Sequence, residues 1–155
     1  MILRVLLAIV FGAMVGVQRE LTNEPAGLRT HILVAMGSAG FMALSVMGFQ
    51  PLVSGEAPVA SDRIAAQIVT GIGFLGAGTI WRTRSSIRGL TTAASIWVVA
   101  AIGMLTASGY FVLGGMVTLL TLITLQLLKI PERSLQIRRT SADDEEEEED
   151  GSDLT

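Results

Sequence analysis

Five apolar stretches of membrane-spanning length, separated by short polar connections, constrain this chain more than any other feature. They lie near residues 2–18, 30–49, 64–81, 91–107 and 109–129, each close to the roughly 20 residues a helix needs to cross about 30 Å of hydrocarbon. Backbone amides find no water at that depth, so such segments must satisfy their own hydrogen bonds as helices. The first stretch, Ile2 to Gln18, resembles a signal peptide in length. It has no charged leader of any length and runs into Gln18-Arg19-Glu20 without a small-residue cleavage site, so it reads as a span. The expected fold is an all-α integral membrane protein, a bundle of about five transmembrane helices whose short connections make sequential helices antiparallel neighbours.

Arginine and lysine are retained on the cytoplasmic side of a membrane, whereas acids contribute little to orientation. Arg19 and Arg29 flank the first connection, Arg82, Arg84 and Arg88 lie in the third, and Lys129, Arg133, Arg138 and Arg139 follow the last span. The opposite ends carry only Arg4 and Arg63. This alternation predicts an external N-terminus and a cytoplasmic C-terminus. Nine of the fourteen acids fall between Asp143 and Asp153, so residues 1–142 carry a formal +6 and the tail −9. The chain therefore divides into a transmembrane domain over 1–130 and a cytoplasmic charged tail over 131–155, expected to be acidic and disordered from about residue 141.

Composition narrows the chemistry. With no cysteine, disulfides and thiol chemistry are excluded, and one histidine with five acids in residues 1–142 argues against a hydrolytic or metalloenzyme site. No enzyme activity, cofactor or nucleic-acid partner is expected. Polar groups inside the spans are neutral: Gln67, Thr70 and Thr79 on the third, Thr91, Thr92 and Ser95 at the start of the fourth, and Thr118, Thr121 and Thr124 on the fifth. A proton-coupled carrier normally relays through buried Asp, Glu or His, and none lies at mid-depth.

Lipid gives helices no hydrophobic reason to associate, so small residues that admit close backbone approach mark the contacts. The third span holds Gly71, Gly73, Gly76 and Gly78, and Gly12 with Gly16 forms a GxxxG pair in the first. One expectation is a tight bundle centred on the third helix, with Gln67 making an interhelical hydrogen bond. Another is a broken third helix at a midplane path lined by Gln67, Thr70, Thr92 and Ser95. Gly71-Ile72-Gly73-Phe74-Leu75-Gly76 spells GxGxxG, but that fingerprint needs a preceding strand and an acid about twenty residues on. No Asp or Glu occurs between Asp62 and Glu132.

Gly27-Leu28-Arg29-Thr30 and Gly89-Leu90-Thr91-Thr92 each offer a glycine break followed by threonines able to cap the incoming helix. Two positive helix N-termini beside Arg29 and Arg88 would form an anion-attracting inner face for a carboxylate, phosphate or lipid head group. With Arg19 and Glu20 these make a candidate cytoplasmic-face site of Arg19, Glu20, Arg29, Thr30, Arg88 and Thr91. The plainer reading is positive-inside arginines. Glu20 and Glu24 share that side and form the one weak Mg²⁺ candidate, although pairing of Glu20 with Arg19 or Arg29 competes with it. His31 reads as a packed interfacial histidine, and Asp62 with Arg63 as the external mouth of the third helix.

The run Asp62-Arg63-Ile64-Ala65-Ala66-Gln67-Ile68-Val69-Thr70-Gly71-Ile72-Gly73-Phe74-Leu75-Gly76-Ala77-Gly78-Thr79-Ile80 closely resembles the signature of the MgtC/SapB membrane protein family. Ile87-Arg88-Gly89-Leu90-Thr91-Thr92-Ala93-Ala94-Ser95-Ile96-Trp97 extends the match, as do Gly16-Val17-Gln18-Arg19-Glu20 and Ala26-Gly27-Leu28-Arg29-Thr30-His31. The resemblance covers about residues 1–128. It implies a multi-pass protein of the prokaryotic cytoplasmic membrane, associated with growth under magnesium limitation and, in pathogens, with survival in phagocytes. It also implies a regulator of other membrane proteins, the proton-translocating ATP synthase among them, rather than an established magnesium pump. Longer members carry a folded soluble C-terminal domain, in whose place this sequence is expected to have only the acidic tail. The expected function is thus a non-enzymatic membrane regulator linked to magnesium or ion homeostasis, acting by helix contact with membrane partners or with itself. A small ion or solute transporter or channel is the alternative.

Overall fold

A computed structural model describes residues 1–47, 62–83 and 86–127, which form five helices and a short hairpin. They are α1 (Ile2–Leu21), α2 (Leu28–Met47), α3 (Asp62–Ala77), α4 (Leu90–Ser108) and α5 (Phe111–Leu127), with β1 (Trp81–Arg82) and β2 (Ile87–Arg88) between α3 and α4. The connection at 50–61, Arg84 and the acidic tail lie outside the described residues. Three helices, Ile2–Leu21, Leu28–Val46 and Leu90–Ser108, are long and apolar enough to cross a membrane. Arg63–Ala77 and Phe111–Leu127 are shorter apolar helices. Met1–Leu122 forms one compact unit; a second begins at Ile123, and only its first five residues, the end of α5, are described.

The three long helices pack through backbone contacts that only glycine allows. A methyl added at Gly12 would lie 2.6 Å from the Ala35 Cβ and 2.9 Å from the His31 carbonyl oxygen, and one at Gly16 would lie 2.8 Å from the Leu28 Cα. These two glycines are four apart, hence on one face, and they seat α1 antiparallel on α2. Beside it on α2, Gly103 of α4 rests against the Ala35 carbonyl and 3.1 Å from the Ser38 Cβ. Ala8, Ala39 and Ala107 close the core where all three helices meet, flanked by Val5 and Met42. Threonines enter this apolar packing by bonding their own helix: Thr106 Oγ1 donates to the Ile102 carbonyl at 2.7 Å and Thr118 Oγ1 to Gly114 at 2.8 Å.

This arrangement corrects the expectation that the third span occupies the centre. The centre belongs to α2 and α4, while α3 buries only Ile68, Ile72 and Gly76 as its tightly covered positions. Its glycines are spread rather than aligned. Gly71 and Gly73 stand about 200° apart on a helix, and a methyl at either meets nothing within 4 Å. Gly76 lies against Ala93 of α4, and Gly78 falls beyond the helix end in the turn that follows. The helix is nonetheless continuous through Gly71, Gly73 and Gly76, so the broken-helix alternative does not hold over these residues. Gln67 is exposed and makes no hydrogen bond among the described residues.

The termini of α4 explain two other sequence features. Gly89 takes φ 88° as its N-cap and Gly109 takes φ 95° as its C-cap, left-handed conformations that glycine adopts without strain. At Gly89 a side chain would also strike the Thr79 carbonyl, where the end of the α3 turn meets the hairpin. Arg4 Nη1 donates 2.8 Å to the Ala107 carbonyl, which gives an arginine isolated near the N-terminus a use as a cap for the negative end of α4. Gly89 provides no side-chain cap, so Thr91 and Thr92 lie inside α4, and Thr30 likewise falls within the first turn of α2. The hairpin, paired Trp81 to Arg88 and Arg82 to Ile87, is a small β element that the sequence reading treats as loop.

Replacing Gly12 or Gly103 with valine is expected to destabilise the protein by about 1–3 kcal/mol through overpacking, read by reversible unfolding in detergent. Gly73→Ala should leave stability unchanged or raise it by about 0.5–1 kcal/mol. An equal loss at all three positions would contradict this packing.

Candidate functional site: a buried arginine and histidine at the α1–α2–α4 junction

The end of the bundle where α1 finishes and α2 and α4 begin gathers polar side chains that lie far apart in sequence. Arg19, in the last turn of α1, has no exposed surface, and neither does His31 in the first turns of α2. An arginine removed from water must be met by acceptors, because an unpaired buried charge costs several kcal/mol. Arg19 Nη2 donates to Thr92 Oγ1 on α4 at 2.8 Å and lies 3.0 Å from Glu24 Oε2. One guanidinium nitrogen therefore ties α1 both to α4 and to its own following turn. Arg19 Nε and Nη1, with Gln18 Oε1, are buried without a hydrogen-bond partner.

His31 bridges the other pair of helices. Its Nδ1 is 2.9 Å from the Gly27 carbonyl and its Nε2 is 3.1 Å from Ser95 Oγ on α4. A carbonyl can only accept, so Nδ1 carries a proton. Ser95 Oγ donates to the Thr92 carbonyl at 2.8 Å, which leaves its lone pairs, not its proton, facing Nε2. An Nε2–H donating to Ser95 would complete the set and make the ring a cation; a neutral ring with Nδ1–H would require the Ser95 proton to turn toward it. Thr92 thus serves twice, its hydroxyl toward Arg19 and its carbonyl toward Ser95.

The loop feeding this junction is shaped by the same groups. α1 ends with the Thr22 hydroxyl donating to the Gln18 and Arg19 carbonyls and with Asn23 at φ 54°, a conformation asparagine tolerates. Glu20 Oε2 accepts the Leu28 N–H at 2.9 Å, capping the start of α2. A side chain on Gly27 would strike that Glu20 carboxylate. A larger residue there would have to displace this cap.

The sequence-derived candidates sort clearly on this geometry. Arg19, Thr92 and Ser95 converge with His31, although they come from different proposed groups, and Glu20 and Glu24 line the same loop. The two carboxylates have separate partners, the Leu28 amide and Arg19, and among the described residues no three His, Asp or Glu side chains gather as a metal site. Arg29, Arg88 and Thr91 are exposed, and Thr30 is half-buried, outside the network. Gln67, Thr70, Gly71 and Gly73 lie on α3 and do not join Thr92 and Ser95 in a common path; Thr70 Oγ1 donates to the Ala66 carbonyl of its own helix. Asp62 opens α3, and Arg63 lines a groove between α2 and α3. His31, a packed interfacial histidine by sequence, is also the side chain that joins α2 to α4; its place one helical turn beyond Gly27 is the signal the sequence offers.

A double-mutant cycle measures the central contact. Thr92→Val should cost about 1–3 kcal/mol by leaving another buried guanidinium N–H unmet. In Arg19→Met/Thr92→Val the loss should fall short of the sum of the single losses by about 0.5–3 kcal/mol. Additivity within about 0.3 kcal/mol would show that the two side chains do not interact.

Comparison with known proteins bears on the whole of this arrangement. Residues 5–134 match the MgtC family. The chain is 47% identical over 126 residues to the "Putative magnesium transporter YhiD" of Escherichia coli K12, covering 81% of this chain and 59% of that protein. It is 46% identical over 110 residues to Protein MgtC of Salmonella typhimurium strain 14028s, covering 71% of this chain and 44% of the relative. Protein MgtC of Brucella abortus is 46% identical over 102 residues, 66% of this chain and 40% of that protein. The chain therefore spans about half the length of the curated relatives it matches. No solved structure matches. Because the family match takes in every residue of the buried network, from Arg19 to Ser95, the chain belongs to the MgtC family.

Proposed function

We propose that this protein is a non-enzymatic regulator in the prokaryotic cytoplasmic membrane, linked to magnesium homeostasis and working by helix contact with other membrane proteins. The observation that carries this reading is the uncovered outer face of α3. Ala66, Thr70, Gly73 and Ala77 recur there at helical spacing, all exposed, with Phe74 among them. In a bilayer, a row of small side chains lets a second helix approach closely, and no helix of this chain takes that place among the described residues. A transmembrane helix of a transporter or of the proton-translocating ATP synthase is the occupant of the stated chemistry.

The junction at Arg19 supports regulation over conduction. A divalent cation moving between α1, α2 and α4 would meet a buried guanidinium, and like charges at close range in a low dielectric repel by several kcal/mol. The contacts at Gly12, Gly16 and Gly103 also leave no room for a hydrated ion. The names of the relatives, MgtC and "Putative magnesium transporter YhiD", connect the reading with magnesium. The second of these names keeps transport as the competing reading. In the proposed orientation the N-terminus is external and the Arg19 network faces the cytoplasm.

Two measurements separate the readings. The purified protein in sealed vesicles loaded with a magnesium indicator should give no saturable Mg²⁺ influx above protein-free vesicles. Cysteine introduced at Gly73 in this cysteine-free chain should crosslink to another membrane protein in native membranes, and Gly73→Leu should abolish growth support at low magnesium while the protein remains folded. Saturable influx that disappears in Arg19→Met would establish transport instead.

A further inference from the structure

On the inner side of α3, facing α2, the helices part to leave a groove of about 690 Å³. It runs from Ile64 to Leu75 on α3 and from Leu33 to Phe41 on α2, a length of about 12–17 Å at 1.5 Å per residue. That matches one leaflet's share, about 15 Å, of a 30 Å hydrocarbon core. Its walls are almost wholly apolar, and its floor is opened by Gly37 and Gly71, where an added methyl meets nothing within 4 Å. Three polar side chains interrupt the lining. Ser38 is 3% exposed. Gln67 lies midway, and Arg63 stands at one end, exposed and in no salt bridge among the described residues.

We infer that this groove is a binding site for an anionic phospholipid, one acyl chain lying over Gly37 and Gly71 and the headgroup phosphate held by Arg63. An apolar lining one leaflet long, with a single cation at one end, matches an acyl chain and its headgroup in length and in chemistry. The charge favours an anionic headgroup, since a guanidinium recognises phosphate oxygens by paired, charge-assisted hydrogen bonds. Glycine at 37 and 71 then has a physical reason: each costs helix stability, and each keeps open the volume that the chain fills. Gln67 and Ser38 lie where an ester carbonyl can accept their protons.

The test is native mass spectrometry of the full-length protein in detergent, titrated with phosphatidylglycerol or phosphatidylcholine of the same acyl composition. The unmodified protein should retain phosphatidylglycerol about tenfold more tightly than phosphatidylcholine, the value of one charge-assisted contact. Arg63→Gln should erase that preference while leaving the weaker binding of both lipids. Gly71→Leu should remove both, its folding verified by an unchanged melting temperature; Gly37→Leu serves if that variant does not fold. Equal binding of the two lipids by the unmodified protein, or binding unaffected by both Arg63→Gln and Gly71→Leu, overturns the proposal. So does a disulfide between two copies of Gly37→Cys in native membranes, which would assign the groove to a second copy of the chain.

Discussion

The structure depends on close approach of three helix backbones at Gly12, Gly16 and Gly103. In water, apolar side chains alone would drive α1, α2 and α4 together. In a bilayer the surrounding tails are as apolar as leucine, so association rests on dispersion contacts, which decay steeply with distance, and on polar groups hidden from lipid. Side chains at these three glycines would separate the helices and forfeit the contacts of Ala8, Ala35, Ala39 and Ala107 that lie behind them.

The same closeness makes the polar junction possible. Arg19 reaches Thr92 at 2.8 Å, and His31 reaches Ser95 at 3.1 Å, because α1 and α4 both lie against α2 with no large side chain between. Buried polar pairs of this kind contribute little net stability, since desolvation offsets much of their attraction, but an arrangement that leaves one partner buried and unpaired costs several kcal/mol. A slide of one residue would carry Thr92 about 100° round its helix and put Thr91, which is exposed in this packing, in its place. The tight glycine contacts fix the spacing of the helices, and the Arg19 and His31 network fixes their register. α3 shares neither device. It stands beside α2 and α4 with one face open and with a groove behind it, an arrangement suited to exchange of neighbours in the membrane.

Much of this was legible from residue order. Five helices, their approximate limits and the apolar character of each follow from the length of the hydrophobic runs. The α1 contact was visible in the four-residue spacing of Gly12 and Gly16. The third span misled because its glycines were dense rather than aligned: Gly71 and Gly73 point to opposite sides, and Gly78 lies past the helix end. Threonines after Gly27 and Gly89 looked like caps, yet a Glu20 carboxylate and a left-handed glycine begin those helices.

Sequence by itself determined that the chain forms helices, three of them long and apolar enough to cross a membrane, with arginines near their ends, because those outcomes follow from local composition and from the obligation of every amide to bond within its own segment. Tertiary structure alone decided that Arg19, His31, Thr92 and Ser95 would meet, that α2 and α4 rather than α3 would form the centre, and that an empty-floored groove would open between α2 and α3. These depend on the rotation of each helix about its axis. Rotation is set by which small residues find one another across helices far apart in the sequence, as Ala35 and Gly103 are, and no local pattern records that choice.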